Sequence, residues 1–195
     1  MERFKLEFPS EAREADAMDF LAEFVKANTV IHGSGGFDLY AGDYAGWLKR
    51  VREDKQREFS EKRVPAETYF LIRESDDKIV GVISVRLRLN KALWNFGGNI
   101  GYSIRPSERR KGYNKVNLFL GLCVCKNRGM EAVLVSCEKR NIASAKSIQA
   151  LGGKLLYEYM DEELGYEIQN YVIDVRGALD KFGEKYAPMM LEYPA

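Results

Sequence analysis

The hydrophobic and polar positions change period along this chain, and each change marks an element. Phe4, Leu6 and Phe8 alternate with polar residues, the period-two signature of a strand. After Pro9-Ser10 the spacing becomes helical: Met18, Leu21 and Val25 recur on one side, with Ala17, Phe20 and Phe24 alongside. Residues 28–46 read as a loop, marked by Gly33, Gly35, Gly36 and Gly42. Tyr44, Trp47, Leu48 and Val51 share one side of a second helix, and its charged continuation, 52–63, reads as solvated. Residues 68–73 and 79–89 form a strand pair around the turn 74–78. In the second of these, Ile83, Val85, Leu87 and Leu89 alternate with Ser84, Arg86, Arg88 and Asn90, predicting one apolar and one polar face. A Gly97-Gly98 turn precedes a fourth strand, 99–105. Helix 115–128, strand 132–136, helix 141–151, strands 154–159 and 168–175 and a short helix 178–186 complete the pattern. There is no repeat, low-complexity stretch or linker, so the 195 residues predict a single α/β domain over 1–195.

The chemistry concentrates where the fourth strand meets the next helix, at Arg109-Arg110-Lys111-Gly112-Tyr113-Asn114. Glycine lets the backbone turn tightly and approach a ligand. The first N–H groups of the following helix have no partner within it and lie at the positive end of its dipole. A phosphate answers both needs, and the basic residues add charge. The loop is neither Gly-x-x-x-x-Gly-Lys-Ser/Thr nor Gly-x-Gly-x-x-Gly with an acidic residue about 20 positions on, which counts against an ATPase or a dinucleotide enzyme. A basic surface turn would carry the same hexapeptide. A second segment, taken alone an ordinary capped amphipathic helix, follows about 30 residues on: Asn141 is a good helix N-cap, Ala145, Ile148 and Leu151 share a face, and Gly152-Gly153 suits a left-handed stop.

These two segments, in this order, resemble the GNAT acyltransferase superfamily, with its Arg/Gln-x-x-Gly-x-Gly/Ala loop and its Asn-x-x-Ala/Ser helix ending in Leu-Gly-Phe or Leu-Gly-Gly. The resemblance covers roughly residues 66–176 and the N-terminal third more loosely. It implies an α+β fold: a mixed sheet of six or seven strands flanked by helices, with the fourth and fifth strands splayed around the pantetheine arm of acetyl-CoA. It implies transfer of an acetyl group to an amine of a small molecule or peptide. Main-chain N–H groups at Gly112, Tyr113 and Asn114 would hold the pyrophosphate, with Arg109, Arg110 and Lys111 neutralising it. Backbone groups at Ile104 and Arg105 would pair with the pantetheine, Asn141 and Ser144 would bond nearby, and an N–H near Ile104 would serve the oxyanion.

The chain departs from the family where the acid and base are usual. A Glu on the fourth strand is replaced by Asn99, and a Tyr in the second helix by Ile148. The substitutes the sequence offers are Tyr102 as proton donor, Glu138 or His32 as base, and Cys137 as nucleophile. Each has a plainer reading: Cys137 as a buried structural thiol, Glu138 as a solvated carboxylate, His32 as a loop residue. Phe37, Tyr40 and Trp47 are candidates to wall an acceptor pocket beside a mobile glycine loop. Arg86 and Arg88 would favour a carboxylate-bearing acceptor if their face borders the site, or else pair with surface acids.

Composition narrows the partners. With 30 Lys+Arg against 29 Asp+Glu, the net charge of +1 gives no general pull toward nucleic acid or an anionic membrane. Three cysteines without framework spacing and a single histidine argue against disulfides and against a metal centre. The start of the chain lacks a signal-peptide core, and no apolar run approaches the ~20 residues of a membrane span, so the expected home is the cytoplasm. Residues 178–195 are a candidate homodimer contact or a cover for the core. An acyl-CoA-binding sensor or regulatory module of weak catalysis is the alternative to an enzyme.

Overall fold

The computed structural model describes residues 1–40 and 42–194. Four strands, β1 (Phe4–Glu7), β2 (Ala66–Arg73), β3 (Lys78–Arg86) and β4 (Ile100–Ile104), form an antiparallel sheet in that order. Three more, β5 (Ala132–Glu138), β6 (Lys154–Asp161) and β7 (Tyr166–Asp174), form a second antiparallel sheet with β7 central. The helices are α1 (Glu14–Lys26), α2 (Tyr44–Gln56), α3 (Lys91–Asn95), α4 (Tyr113–Asn127), α5 (Ile142–Ala150) and α6 (Val175–Tyr186). The seven strands are thus divided between two sheets rather than joined in one continuous mixed sheet.

Both faces of the first sheet are buried. Ala17, Phe20 and Phe24 of α1 and Tyr44, Trp47 and Val51 of α2 pack with Phe70, Ile72 and Val82 on one face. On the other, Leu71, Ile83 and Val85 meet Leu118, Leu122 and Val124 of α4, together with strands of the second sheet. The expected polar face of β3 is therefore not solvated: Ser84 is buried and pairs with the Thr68 hydroxyl at 3.1 Å. In α1 the aromatic stripe faces inward and Val25 is exposed, because burying Phe20 and Phe24 removes more apolar surface from water.

The two sheets are joined at one point. Asn99, just before β4, donates its backbone N–H to the Leu134 carbonyl at 2.6 Å. Its side-chain Oδ1 accepts from the Leu134 N–H at 2.9 Å, and its Nδ2 donates to the Arg86 carbonyl at 3.0 Å. Gly98 has a φ of 61°, and a Cβ there would stand 2.2 Å from the Leu134 oxygen, so only glycine allows this approach. Beyond the bridge between Gly98 and Val135, no β4–β5 ladder exists among the described residues. A cleft opens between them.

Asn99→Ala leaves the Leu134 N–H and the Arg86 carbonyl without partners in a buried place. At about 1–3 kcal/mol for each orphaned group, the expected loss is roughly 2–5 kcal/mol in urea unfolding. A loss below about 0.5 kcal/mol, the level of an ordinary surface change, would show that the junction does not hold the sheets.

Candidate active site

The cleft encloses ≈ 910 Å³ between β4, β5 and the starts of α4 and α5. The register of β4 on β3 decides what faces it. Arg86 N–H bonds to the Asn99 carbonyl and Arg105 N–H to the Val80 carbonyl, so residues 99, 101, 103 and 105 direct their main chain at β3. By the alternation of an antiparallel ladder, the main-chain groups of Tyr102 and Ile104 point into the cleft. Arg105 is thus unavailable as a cleft backbone partner. Its carbonyl accepts from Glu108 N–H, and its buried guanidinium binds Asp19, Glu23 and the Ile79 carbonyl. That network ties the end of β4 to α1.

At the wide end, Gly112 caps α4 with a φ of 86° and no side-chain cap. A Cβ there would meet nothing within 4 Å, so the turn is open and the first N–H groups of α4 are uncovered. Arg110, also left-handed at 65°, and Arg109 line this end. Arg109 donates to the Ile104 carbonyl at 3.3 Å and the Thr29 hydroxyl at 3.1 Å, and lies over the Phe24 ring. Lys111 does not line the cleft; it pairs with Glu108 at 2.7 Å, a carboxylate that Arg73 shares at 2.8 Å. Tyr113 lines the cleft, yet its ring packs against Phe4. Asn114 donates to Ser147 at 3.2 Å, linking α4 to α5, a contact the sequence reading lacks. Asn141 caps α5 as expected, accepting from Ser144 N–H at 3.1 Å.

Midway along the cleft the Tyr102 hydroxyl and Ser144 Oγ stand 2.9 Å apart. Burial drives the Tyr102 phenol well above its ordinary value, against the pull of its contacts with Ser144 and Asn114, so it keeps its proton. Burial likewise pushes Cys137 up to about 11, more than the Ser144 contact offsets, with Glu138 adding to the rise. Glu138 borders the same space and binds Arg140 at 2.6 Å.

His32 is exposed in the cleft, its backbone N–H held by Ser103 Oγ at 2.8 Å. Crowding by protein atoms lowers its pKa; Glu138 and Asp38 oppose this and Arg86 reinforces it. The glycine loop is packed: a Cβ on Gly33 would fall 2.0 Å from the Gly101 carbonyl oxygen. Phe37 and Trp47 do not wall this space. They stack at 4.4 Å in the core beneath α2, because the Trp47 indole donates to the Ser34 carbonyl at 2.8 Å and turns inward. Arg86 does border the cleft, whereas Arg88 rests over Phe59. Among the described residues neither arginine forms a surface ion pair: Arg86 meets no carboxylate, and desolvation lowers it to about 10. Ile148, in α5, is wholly buried in the core. Among the described residues no cluster of His, Cys, Asp and Glu fits a metal, and no helix is long and apolar enough to cross a membrane.

An open strand edge beside an uncovered helix N-terminus suits a ligand with amides at one end and phosphates at the other, the arrangement of a CoA-dependent acyltransferase. Residues 10–154 match the Acetyltransferase (GNAT) domain, and the chain belongs to that family of acyltransferases. Among solved structures, ribosomal-protein-S5-alanine acetyltransferase from Vibrio fischeri shares the fold at a TM-score of 0.68 and 15% identity, over 89% of this chain and 94% of that one. The microcin C7 self immunity acetyltransferase MccE, in complex with acetyl-CoA and AMP, gives 0.66 and 16% over 87% and 91%. RimL, a ribosomal L7/L12 α-N-protein acetyltransferase in complex with coenzyme A, gives 0.65 and 16% over 89% and 96%. No curated protein matches the sequence.

The raised thiols predict slow chemistry. At pH 7 an aromatic disulfide reagent should label the native protein orders of magnitude more slowly than a free thiol, with all three cysteines released on unfolding. Rapid native labelling of Cys137 would instead reveal an activated nucleophile.

Proposed function

We propose that the protein moves an acetyl group from acetyl-CoA to an amine of a small molecule or peptide by direct attack in a ternary complex. The observation that carries this reading is the main-chain edge of Tyr102 and Ile104, open between the bare start of α4 and the capped start of α5. The thioester supplies an activated acetyl group. Gly112, Tyr113 and Asn114 N–H groups bind the pyrophosphate, with Arg109 and Arg110 beside it. Tyr102 and Ile104 pair with the pantetheine amides, and an N–H of this edge steadies the oxyanion. Asn141 and Ser144 border the thioester end.

Asn99 cannot accept a proton and its side chain is bonded to Leu134 and Arg86, so the base must lie elsewhere. His32 fits that role: a lowered pKa leaves the imidazole neutral near pH 7 and able to take the amine proton, directly or through water. Glu138 is placed to draw the cationic amine in. Tyr102, always protonated at neutral pH, donates to the departing sulfur, with Ser144 orienting its hydroxyl. Cys137 stays a thiol, which favours direct attack over an acyl-enzyme. The solved relatives support the donor through their acetyl-CoA and coenzyme A complexes, and a peptide amine through the ribosomal proteins in their names. A second reading, an acyl-CoA-binding module of weak catalysis, draws on Asn99 and Ile148 standing where the family's base and acid are usual.

Binding is tested by thermal unfolding. Acetyl-CoA at 100 times its dissociation constant adds about 2.7 kcal/mol, a Tm rise of roughly 5–10 °C, with no rise for ATP or NAD. Gly112→Asp forces a left-handed residue and sets a carboxylate at the anion site; it should abolish the rise. No rise with wild-type protein at millimolar acetyl-CoA would remove both readings.

The base is tested by pH. Protonation disables His32, so kcat/KM should climb through an apparent pKa below 6.5 and then level before any limb from the acceptor amine. His32→Gln should erase that limb and lower kcat/KM by roughly 10²–10⁴. An unchanged profile in the variant excludes His32.

A further inference from the structure

We propose that Arg86 seats a carboxylate of the acceptor, so that the amine acetylated by this protein belongs to an amino acid. This rests on the acetyl-transfer reading above and narrows its acceptor. Arg86 ends β3 and turns its guanidinium into the narrow end of the cleft. Its Nη1 donates to the Gly97 and Gly98 carbonyls at 3.1 and 3.0 Å, which fixes the plane of the group. Its Nε and Nη2 meet no acceptor among the described residues, yet they are not sealed from the cleft. These two donors form the fork that grips a carboxylate at both oxygens.

The contrast with the other inward-facing arginines is informative. Arg13, Arg73, Arg105 and Arg128 each hold at least one carboxylate at ion-pair distance. Arg86 alone of these five, among the described residues, keeps a partly buried charge with only carbonyl dipoles against it. A buried charge without a counter-charge is costly to the fold, and a ligand carboxylate supplies the missing partner. The space for it is also kept clear. A Cβ at Gly101 would stand 3.1 Å from Nη2, so glycine there leaves that arm of the fork open. His32 and Glu138 border the same cavity, one to take a proton and one to attract a cation. An arginine and these two groups around one cavity match the opposed charges of an amino acid.

The test uses the full chain with saturating acetyl-CoA, following release of the CoA thiol, against the standard amino acids and their primary amides. Acetyl-CoA affinity is measured separately by calorimetry. For the best acceptor, the acid should exceed its amide in kcat/KM by roughly 10- to 100-fold, the range of a charged hydrogen-bonded contact. Arg86→Gln should collapse that ratio toward one while acetyl-CoA affinity and the amide rate hold, and Arg86→Lys should retain part of it. Amides accepted as well as acids overturn the inference and leave acetyl transfer standing. Equal loss for acid and amide in Arg86→Gln also overturns it, leaving Arg86 as a support of the Gly97–Gly98 turn. So does acetylation of neither series by protein that binds acetyl-CoA. Failure of the wild type to bind acetyl-CoA brings down the transfer reading and this inference together.

Discussion

One asparagine side chain stands where, among the described residues, the strands of the two sheets are hydrogen-bonded to each other. Asn99 meets Leu134 with both its backbone N–H and its carboxamide, and reaches back to the Arg86 carbonyl with its remaining donor. Two sheets bonded along their full length would be one continuous surface with no place for a ligand. Two sheets with no bond would leave both inner edges to wander. A single two-sided clamp at one end gives a fork.

The cleft follows from that constraint. Past the clamp, among the described residues, the cleft-facing amides and carbonyls of β4 meet no neighbouring strand, and Arg109 takes the Ile104 carbonyl. Unpaired backbone groups must be answered by water or by a ligand. The cores on the two faces of the first sheet fix β4 in place, and the Arg105 network anchors its far end to α1. The helix starts at Gly112 and Asn141 converge on the same opening, so strand edge and helix dipoles act on one ligand from different sides.

Much of this was legible in the sequence because it is local. The left-handed glycine before α4, the Asn141 cap and the Ala145–Ile148–Leu151 face each depend on residues within a few positions of one another. What was not legible depends on partners far along the chain. Arg105 read as a strand-end backbone partner for the pantetheine, yet its side chain binds acids that lie in α1, at Asp19 and Glu23. Phe37 and Trp47 read as pocket walls, and the Ser34 carbonyl turned the indole inward. The polar stripe of β3 gave no sign that Ser84 would be buried against Thr68. Helix α3 is only five residues long, too short to show a period. The fate of Arg86 lay between these cases: its face was evident, its lack of a counter-charge was not.

A fork closed at one end is also a lever, with Gly98 at the fulcrum. The five residues of β4 at ~3.3 Å each make an arm of roughly 16 Å. A rotation of about five degrees at the fulcrum therefore shifts the start of the α4 loop by about 1.4 Å, half a hydrogen-bond length. Any side chain at position 98 would act as a wedge against the Leu134 carbonyl. The gape of the cleft is thus set by the absence of one methyl group at the point farthest from where that gape is widest.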